Sequence, residues 1–413
     1  MKFKLTSLEK QWVMYDVGNS AFILLVTTIV PIFFNGLAES AGISSVDYLA
    51  YWGYAMGIAT LLVAILGPVI GSLADGWLGK KLLLVVTMLI GCIGCASLGW
   101  VSNWLAFLVI LVIAKIGFSS SIIVNDAMLT DVATPDRVNH VSASGYAWGY
   151  IGSCIPFVLC LALVLGKDLF GLSMTTAMIM AFMITALWWL GCASPLVKNY
   201  RQKHWDRGAG VKDSFRSLFE TLKEIVRNKA VLLFLLAFFC YIDGVYTVID
   251  MATAFGQALG LDTAGLLIAL LVTQIVAFPC SLIYGRLSKK MPASRLITIG
   301  IVAYCCIALY AIGLDSQFDF WLLAVVVGMF QGGIQAMTRA DYAQIIPPEK
   351  SGEYFGIMDI CGKGASFVGT TLVGAISQMT GSVNSGVASL AVLFLLGLVL
   401  FRMAVRERAK LGI

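Results

Sequence analysis

Along this chain, apolar runs of about 20 residues alternate with short polar breaks, and each run is long enough to cross roughly 30 Å of hydrocarbon as a helix. Twelve such runs are predicted, at 12–37, 51–74, 82–100, 104–127, 142–166 and 172–195, then at 230–257, 264–287, 293–314, 319–346, 353–377 and 385–405. No alternation of period two accompanies them, which disfavours a β-barrel and leaves helices as the spanning element. One break organises the rest. The run that begins near Tyr51 stops at Asp75, passes Gly79, Lys80 and Lys81, and resumes at Leu82, so the stretch GSLADGWLGKK from Gly71 makes a tight turn between two spans. A related break, Gly285 to Lys290, returns 214 residues later, with Gly285 matching Gly71, Leu287 matching Leu73 and Lys289 standing in place of Asp75.

Other stretches repeat as well. Tyr15-Asp16-Val17-Gly18 resembles Tyr241-Ile242-Asp243-Gly244, and the fourth span with its exit at Pro135 resembles the tenth with its exit at Pro347. The longest polar segment, Ser194 to Lys229, separates the repeats. Within it Phe215, Leu218, Phe219, Leu222, Ile225 and Val226 recur at helical spacing opposite Lys212, Arg216, Glu220, Lys223 and Arg227. That pattern predicts an amphipathic helix lying on the membrane surface, a tether with a regulatory partner site as the alternative. The expected organisation is an all-α integral membrane protein with two pseudo-symmetric six-helix bundles, over 1–195 and 230–413, joined by a linker over 196–229. Repeats of this kind are expected to carry a substrate site near the midplane.

Composition agrees: 59% of residues are hydrophobic and 12% are charged, against about 25% charged in soluble domains. The net charge of +5 says less than its distribution. Of the 28 Lys and Arg, three (Lys115, Arg339, Lys363) lie deep within spans, Lys167 falls on one face, and the remaining 24, counting Arg286 and Arg402 near span ends, gather with both termini on the other. By the positive-inside rule that face is cytoplasmic. The ten cysteines all fall in apolar spans, and Cys92 and Cys95 sit among Gly91 and Gly94, a pattern suited to close helix packing better than to redox or metal chemistry. His140 and His204 lie in polar loops, and no metal or nucleophile–histidine cluster can be assembled. No nucleotide-binding loop is present, and no cofactor, metal or nucleic-acid partner is implied.

Ionisable residues inside a bilayer are expensive, so each needs a partner, a wet cavity or a function. In the seventh span Asp243, Tyr246, Asp250, Thr253 and Gln257 form one stripe, expected to face a central cavity. Asp243 lies near midplane, where desolvation penalises a charged carboxylate, and is the expected proton-coupling residue, with Asp250 passing the proton outward. Asp16 is its expected counterpart in the first span, followed by Asn19 on the same face, with a structural role for Asp16 left open. Lys115, Ser119 and Asp126 share a face of the fourth span, as does an i,i+4 pair, Asp359 and Lys363, in the eleventh. Asp126 and Asp131 also read as an ion pair or helix cap at the membrane edge. Gln335 and Arg339 in the tenth span and Tyr150 in the fifth complete the candidate substrate and proton site. Gly71, Asp75, Gly79, Lys80 and Lys81 form the expected gating loop.

The loop GSLADGWLGKK resembles the signature of the major facilitator superfamily between its second and third helices: a glycine, an acid four residues on, then a glycine and two bases. It departs in having Gly76 where a base is usual, and one extra residue between Asp75 and Gly79. YDVGNSAF (15–22), SASGYAWGYIGS (142–153), FFCYIDGVYTVIDMATAFG (238–256) and GGIQAMTRADYAQIIPPEKSGEYFG (332–356) are similar to the bacterial relatives of the autophagy-related vacuolar amino-acid effluxer. The resemblance covers nearly the whole chain. It implies the twelve-helix major facilitator fold, no cofactor, no enzymatic activity and solute transport, with amino-acid efflux for the founding eukaryotic member. The expected function is secondary active transport of a small polar solute, an amino acid or organic anion, by alternating access and coupled to H+. A sugar-conjugate:cation symporter, an amphiphile exporter and, more remotely, an integral membrane enzyme are the alternatives. A monomer in the plasma membrane is expected, with both termini cytoplasmic.

Overall fold

Each apolar run becomes a helix, and most of the helices outlast the run that announces them. The computed structural model describes residues 4–43, 45–76, 78–206, 214–258, 261 and 263–411. The described residues form α1 (Ser7–Ser40), α2 (Ser45–Asp75), α3 (Lys80–Ser97), α4 (Trp104–Val132), α5 (Val138–Leu165), α6 (Met174–Asn199) and α7 (Ser214–Arg227). They continue as α8 (Lys229–Ala258), α9 (Thr263–Leu287), α10 (Ala293–Tyr310), α11 (Gln317–Ile345), α12 (Ser351–Thr380), α13 (Val383–Ala388) and α14 (Leu390–Leu411). No strand occurs among the described residues. Among the described residues twelve helical spans are long and apolar enough to cross a membrane: α1–α6, α8–α12 and the run of α13 into α14.

Polar chemistry moves the boundaries. α1 begins five residues before its apolar run because Thr6 and Glu9 form a reciprocal capping box, 3.3 Å and 2.7 Å, satisfying backbone donors that a bare helix start would leave open. Near the carboxyl end, Ser382 caps the short helix α13, which runs on into α14 as one apolar span, Asn384–Lys410, starting within a residue of the expected place. The linker helix α7 is present, but its apolar residues divide. Ile225 is buried at 3% exposure, whereas Phe219, Leu222 and Val226 remain exposed; the side chains of residues 214–217 lie outside the described residues.

The chain forms two compact units. They follow the sequence halves except for two exchanged segments. The first unit comprises 1–132, 148–214 and 349–356, so it takes the first residues of α12. Its core is aromatic: Phe22 packs on Phe118 and Trp189, and Phe33 on Phe107 and Phe182. The second unit comprises 133–147, 215–348 and 357–413, including the first residues of α5. There Phe234 stacks on Tyr342, and Tyr304 lies against Phe394. Small residues let α3 and α4 approach, with Gly94 against Ala114 and Gly117 against Gly91, which is the packing role expected around Cys92 and Cys95. Both thiols are free and buried.

Candidate functional site

In the first unit, α2 ends on Asp75 and the chain turns through Gly79, whose φ of 75° lies in the left-handed region, before α3 starts at Lys80. Asp75 is 1% exposed and does not cap its own loop. Its two carboxylate oxygens accept the backbone N–H groups of Gly352 (2.9 Å) and Glu353 (3.0 Å), so it caps the amino end of α12 from another helix. A carboxylate there satisfies two orphan donors and complements the helix dipole. The approach is close enough that a side chain on Gly71 or Gly352 would collide with the backbone of the other.

Lys80, fully buried, holds the cluster together. Its ammonium lies 3.0 Å from Asp131 and 3.7 Å from Asp75 and donates to the Ser351 hydroxyl at 2.8 Å. Asp131 also accepts from the Tyr200 hydroxyl (2.5 Å), the backbone N–H groups of Lys203 and His204 (both 3.0 Å), and meets His204 Nδ1 at 2.9 Å. Burial and the Asp131 carboxylate push the Tyr200 phenol well above its usual range, so it stays a donor. Gln202 accepts the Lys80 N–H at 2.8 Å, and Asp206 gives its own N–H to the Asp75 carbonyl at 2.9 Å. The strap 200–206 therefore ties the ends of α2, α3 and α4 together, while Asp75 and Lys80 tie them to α12. This is a charge clamp, and one cation serving two carboxylates is stable only because so many donors converge on them.

Of the expected gating loop, Gly71 and Asp75 lie in the last turns of α2, Gly79 in the turn and Lys80 at the start of α3, and the groups that Asp75 and Lys80 bond lie far off in sequence. Asp131, expected as an edge ion pair or cap, is the most heavily bonded acid of the clamp. His204, set aside as a loop residue, bonds it, as do Tyr200 and Lys203. Lys81, by contrast, points away and is exposed.

The related break in the second unit is built differently. Gly285 packs against Ala143 and His140 at the start of α5. Arg339 of α11 donates to the Ser142 hydroxyl (2.9 Å) and carbonyl (3.1 Å), and its guanidinium lies 4.4 Å from the centre of the Tyr146 ring. Ser142 in turn donates to the Ala336 carbonyl at 2.8 Å. A buried arginine thus fixes the first turns of α5 to α11, where the first unit uses an acid and a lysine. Asp341 pairs with Arg408 at 2.8 Å.

The remaining candidates lie deeper in the spans. In the first unit Asp16, 8% exposed, accepts from the Asn125 amide at 3.2 Å, joining α1 to α4. Asn19 is buried one turn on; Gly149 packs on Ser20 and the Asp16 carbonyl, bringing Tyr150 of α5 alongside. Lys115 reaches the Met56 sulfur at 3.2 Å, and Asp126 is half-buried. In the second unit Lys363 and Asp359 form the predicted i,i+4 pair at 2.5 Å, while Tyr246 and Gln335 are half-buried. The side chains of Asp250, Thr253 and Gln257 lie outside the described residues.

Asp243 departs from the expected cavity-facing stripe. It is fully buried, and its Oδ1 accepts from the Gly369 N–H of α12 at 2.9 Å and from Thr247 at 3.3 Å. Its Oδ2 has no partner among the described residues. A cavity of about 70 Å³ in this unit is lined instead by a neighbouring face of α8, with Thr247, Met251 and Phe255, together with Gln274 and Gln331. Nor are Asp16 and Asp243 equivalent. Tyr15 and Tyr241 are both fully buried, but the extra residue Ile242 turns the following acid by about 100°, from a partner on α4 to one on α12.

Comparison with known proteins agrees with this architecture. A family model described as vacuole effluxer Atg22 like matches residues 7–411. The chain is 38% identical over 414 residues to the uncharacterized MFS-type transporter YxiO of Bacillus subtilis (strain 168), covering 98% of this chain and 97% of that protein. It is 26% identical over 299 residues to autophagy-related protein 22-1 of Aspergillus fumigatus, covering 65% of this chain and 48% of the fungal protein, so it spans about half of that relative's length. Among solved structures, the human organic anion transporter MFSD10 (TETRAN) matches with a TM-score of 0.71 at 15% identity, over 95% of this chain and 98% of that one. The E. coli fucose:proton symporter FucP matches with a TM-score of 0.70 at 16% identity, over 96% and 97%. Identities this low speak to the fold alone. Family match, whole-length relative and fold together identify the chain as a member of the Atg22-like family, a multi-pass membrane transporter of the major facilitator superfamily.

Proposed function

We propose that this transporter moves a small polar solute, an amino acid or an organic anion, across the plasma membrane by alternating access coupled to protons. The observation that carries the reading is Asp243: one oxygen is held by two donors and the other has no partner among the described residues. A bare carboxylate in such a place is costly, and a proton on Oδ2 removes the charge without disturbing the bonds to Oδ1. In the same unit the Asp359–Lys363 pair offers an acid and a base, which suits a solute with a carboxylate, an amine or both. Alternating access then requires the charge clamp at Asp75 and Lys80 to open and reform in each cycle. Counterflow of labelled solute in proteoliposomes tests transport itself: exchange faster than in protein-free vesicles supports it, and no exchange with any amino acid or organic acid counts against the substrate class.

The cavity beside Thr247 supports a second reading, since its lining is mostly apolar with the amides of Gln274 and Gln331 as polar points. Those features suit a neutral amphiphile, and a thermal-shift comparison of amphiphiles with amino acids separates the two, because the ligand that binds the folded state raises its stability.

Both termini and the charge clamp are proposed to face the cytoplasm. In a background without reactive native cysteines, Ser102→Cys, Asn103→Cys and Ser382→Cys should react with impermeant thiol reagents added outside intact cells, and Lys203→Cys and Lys350→Cys should not. Labelling in the reverse sense would invert the orientation.

A further inference from the structure

Beside the clamp lies a cleft of about 540 Å³ that the clamp itself does not use. Lys81 and Leu82, in the first turn of α3, form one side, and Arg201 and Trp205 of the strap form the other. Lys81 and Arg201 are exposed, and no ion pair among the described residues engages either one. The nearby acids Asp75 and Asp131 are already committed to Lys80. Two unneutralised cations therefore flank one opening, at the positive end of a helix dipole.

The floor of this cleft runs into a lipid-facing surface. Leu82, Val86, Leu89 and Ile93 of α3 are 49, 42, 38 and 64% exposed, and their spacing of four, three and four places them on one helix face. On a helix that crosses a bilayer, such an apolar stripe meets acyl chains. Trp205, 43% exposed and donating its indole N–H to the Gln202 carbonyl at 3.3 Å, supplies the half-polar ring that favours the headgroup level.

We infer that this cleft binds the headgroup of an anionic phospholipid, with the phosphate between Lys81 and Arg201 and an acyl chain along the α3 stripe. Charge complementarity and continuity with the apolar stripe select a lipid over a soluble anion, which would have no use for Leu82 and Val86. Tyr200 and Gln202 line the same cleft and also bond Asp131 and Lys80, so an occupied site abuts the clamp directly.

The test uses the full chain purified in a non-ionic detergent, with phosphatidylglycerol and phosphatidylcholine titrated separately and bound lipid counted by native mass spectrometry. Lys81→Gln combined with Arg201→Gln should weaken phosphatidylglycerol binding by about tenfold or more, from a severalfold contribution per basic residue, and leave phosphatidylcholine unchanged. Trp205→Ala, which keeps both cations, should weaken it less but measurably. Lys289→Gln combined with Lys290→Gln removes the same charge elsewhere and should have less than a twofold effect. Equal loss in the two charge variants would reduce the effect to general surface charge and overturn the site. So would unchanged binding in the first variant, or displacement of the lipid by millimolar inorganic phosphate, which would mark a site for free anions.

Discussion

Lys80→Met is expected to destabilise the transporter by about 3–5 kcal/mol, the usual cost of removing one partner from a buried ionic cluster. Methionine keeps much of the side chain's length and volume, so the loss is electrostatic. Asp75 and Asp131 would both lose their shared lysine, and the Ser351 hydroxyl would lose the shorter of its two donors, keeping Thr130. Asp75→Asn should cost less, about 1–3 kcal/mol, because the amide oxygen can still accept from one of the two N–H groups of α12 and only the other is left without an acceptor. The ordering is the point. Thermal denaturation in detergent should rank wild type above Asp75→Asn and Asp75→Asn above Lys80→Met. Asp75→Asn is also expected to slow transport while leaving equilibrium solute binding within tenfold, if, as proposed, the clamp biases the cycle without touching the solute. A Lys80→Met protein as stable as wild type would show that the cluster is not held by its lysine.

Asp243→Asn is expected to abolish accumulation driven by a pH gradient and to preserve solute exchange at equal pH. Asparagine keeps an oxygen to accept from the Gly369 N–H and Thr247, so the junction of α8 with α12 should survive. What it loses is the titratable oxygen and with it the proton-carrying role proposed for Asp243. Proteoliposomes loaded at one pH and diluted into another measure the first activity, and counterflow at a single pH measures the second. Loss of both would assign Asp243 to packing, and retention of both would move the coupling site to another acid, with Asp16 the next to examine.

The helices, their number and the repeated breaks were legible because hydropathy is a local property: twenty apolar residues in a row need no knowledge of their neighbours. The same holds for the Asp359–Lys363 pair, whose partners lie one turn apart on one helix. The clamp was only half legible. Its bonds join residues 271, 277 and 278 positions apart, and no spacing rule spans such a gap. Asp75, Gly79 and Lys80 stood out through turn chemistry, while Asp131 stood among apolar neighbours and Tyr200, Gln202 and His204 stood in what read as tether. Asp243 shows a different limit. Periodicity groups it with Tyr246 on one side of α8, but which helix packs on that side is decided by tertiary structure, and Gly369, with no side chain, lets α12 approach Asp243 closely. The exchange of 133–147 and 349–356 between the compact units is likewise invisible in sequence, because neither the polar linker nor the repeats say which unit a helix end packs into.

The measurement that most directly tests this account is a reversible cross-link across the clamp. Thr130 and Ser351 have their hydroxyl oxygens 3.3 Å apart, one on α4 and the other at the start of α12. In a background without reactive native cysteines, Thr130→Cys with Ser351→Cys should form a disulfide on mild oxidation, stop net solute transport in proteoliposomes, and release it again on reduction. If the fully cross-linked protein still transports at the rate of the reduced form, the clamp does not open during the cycle, and the transport mechanism proposed for this protein is wrong.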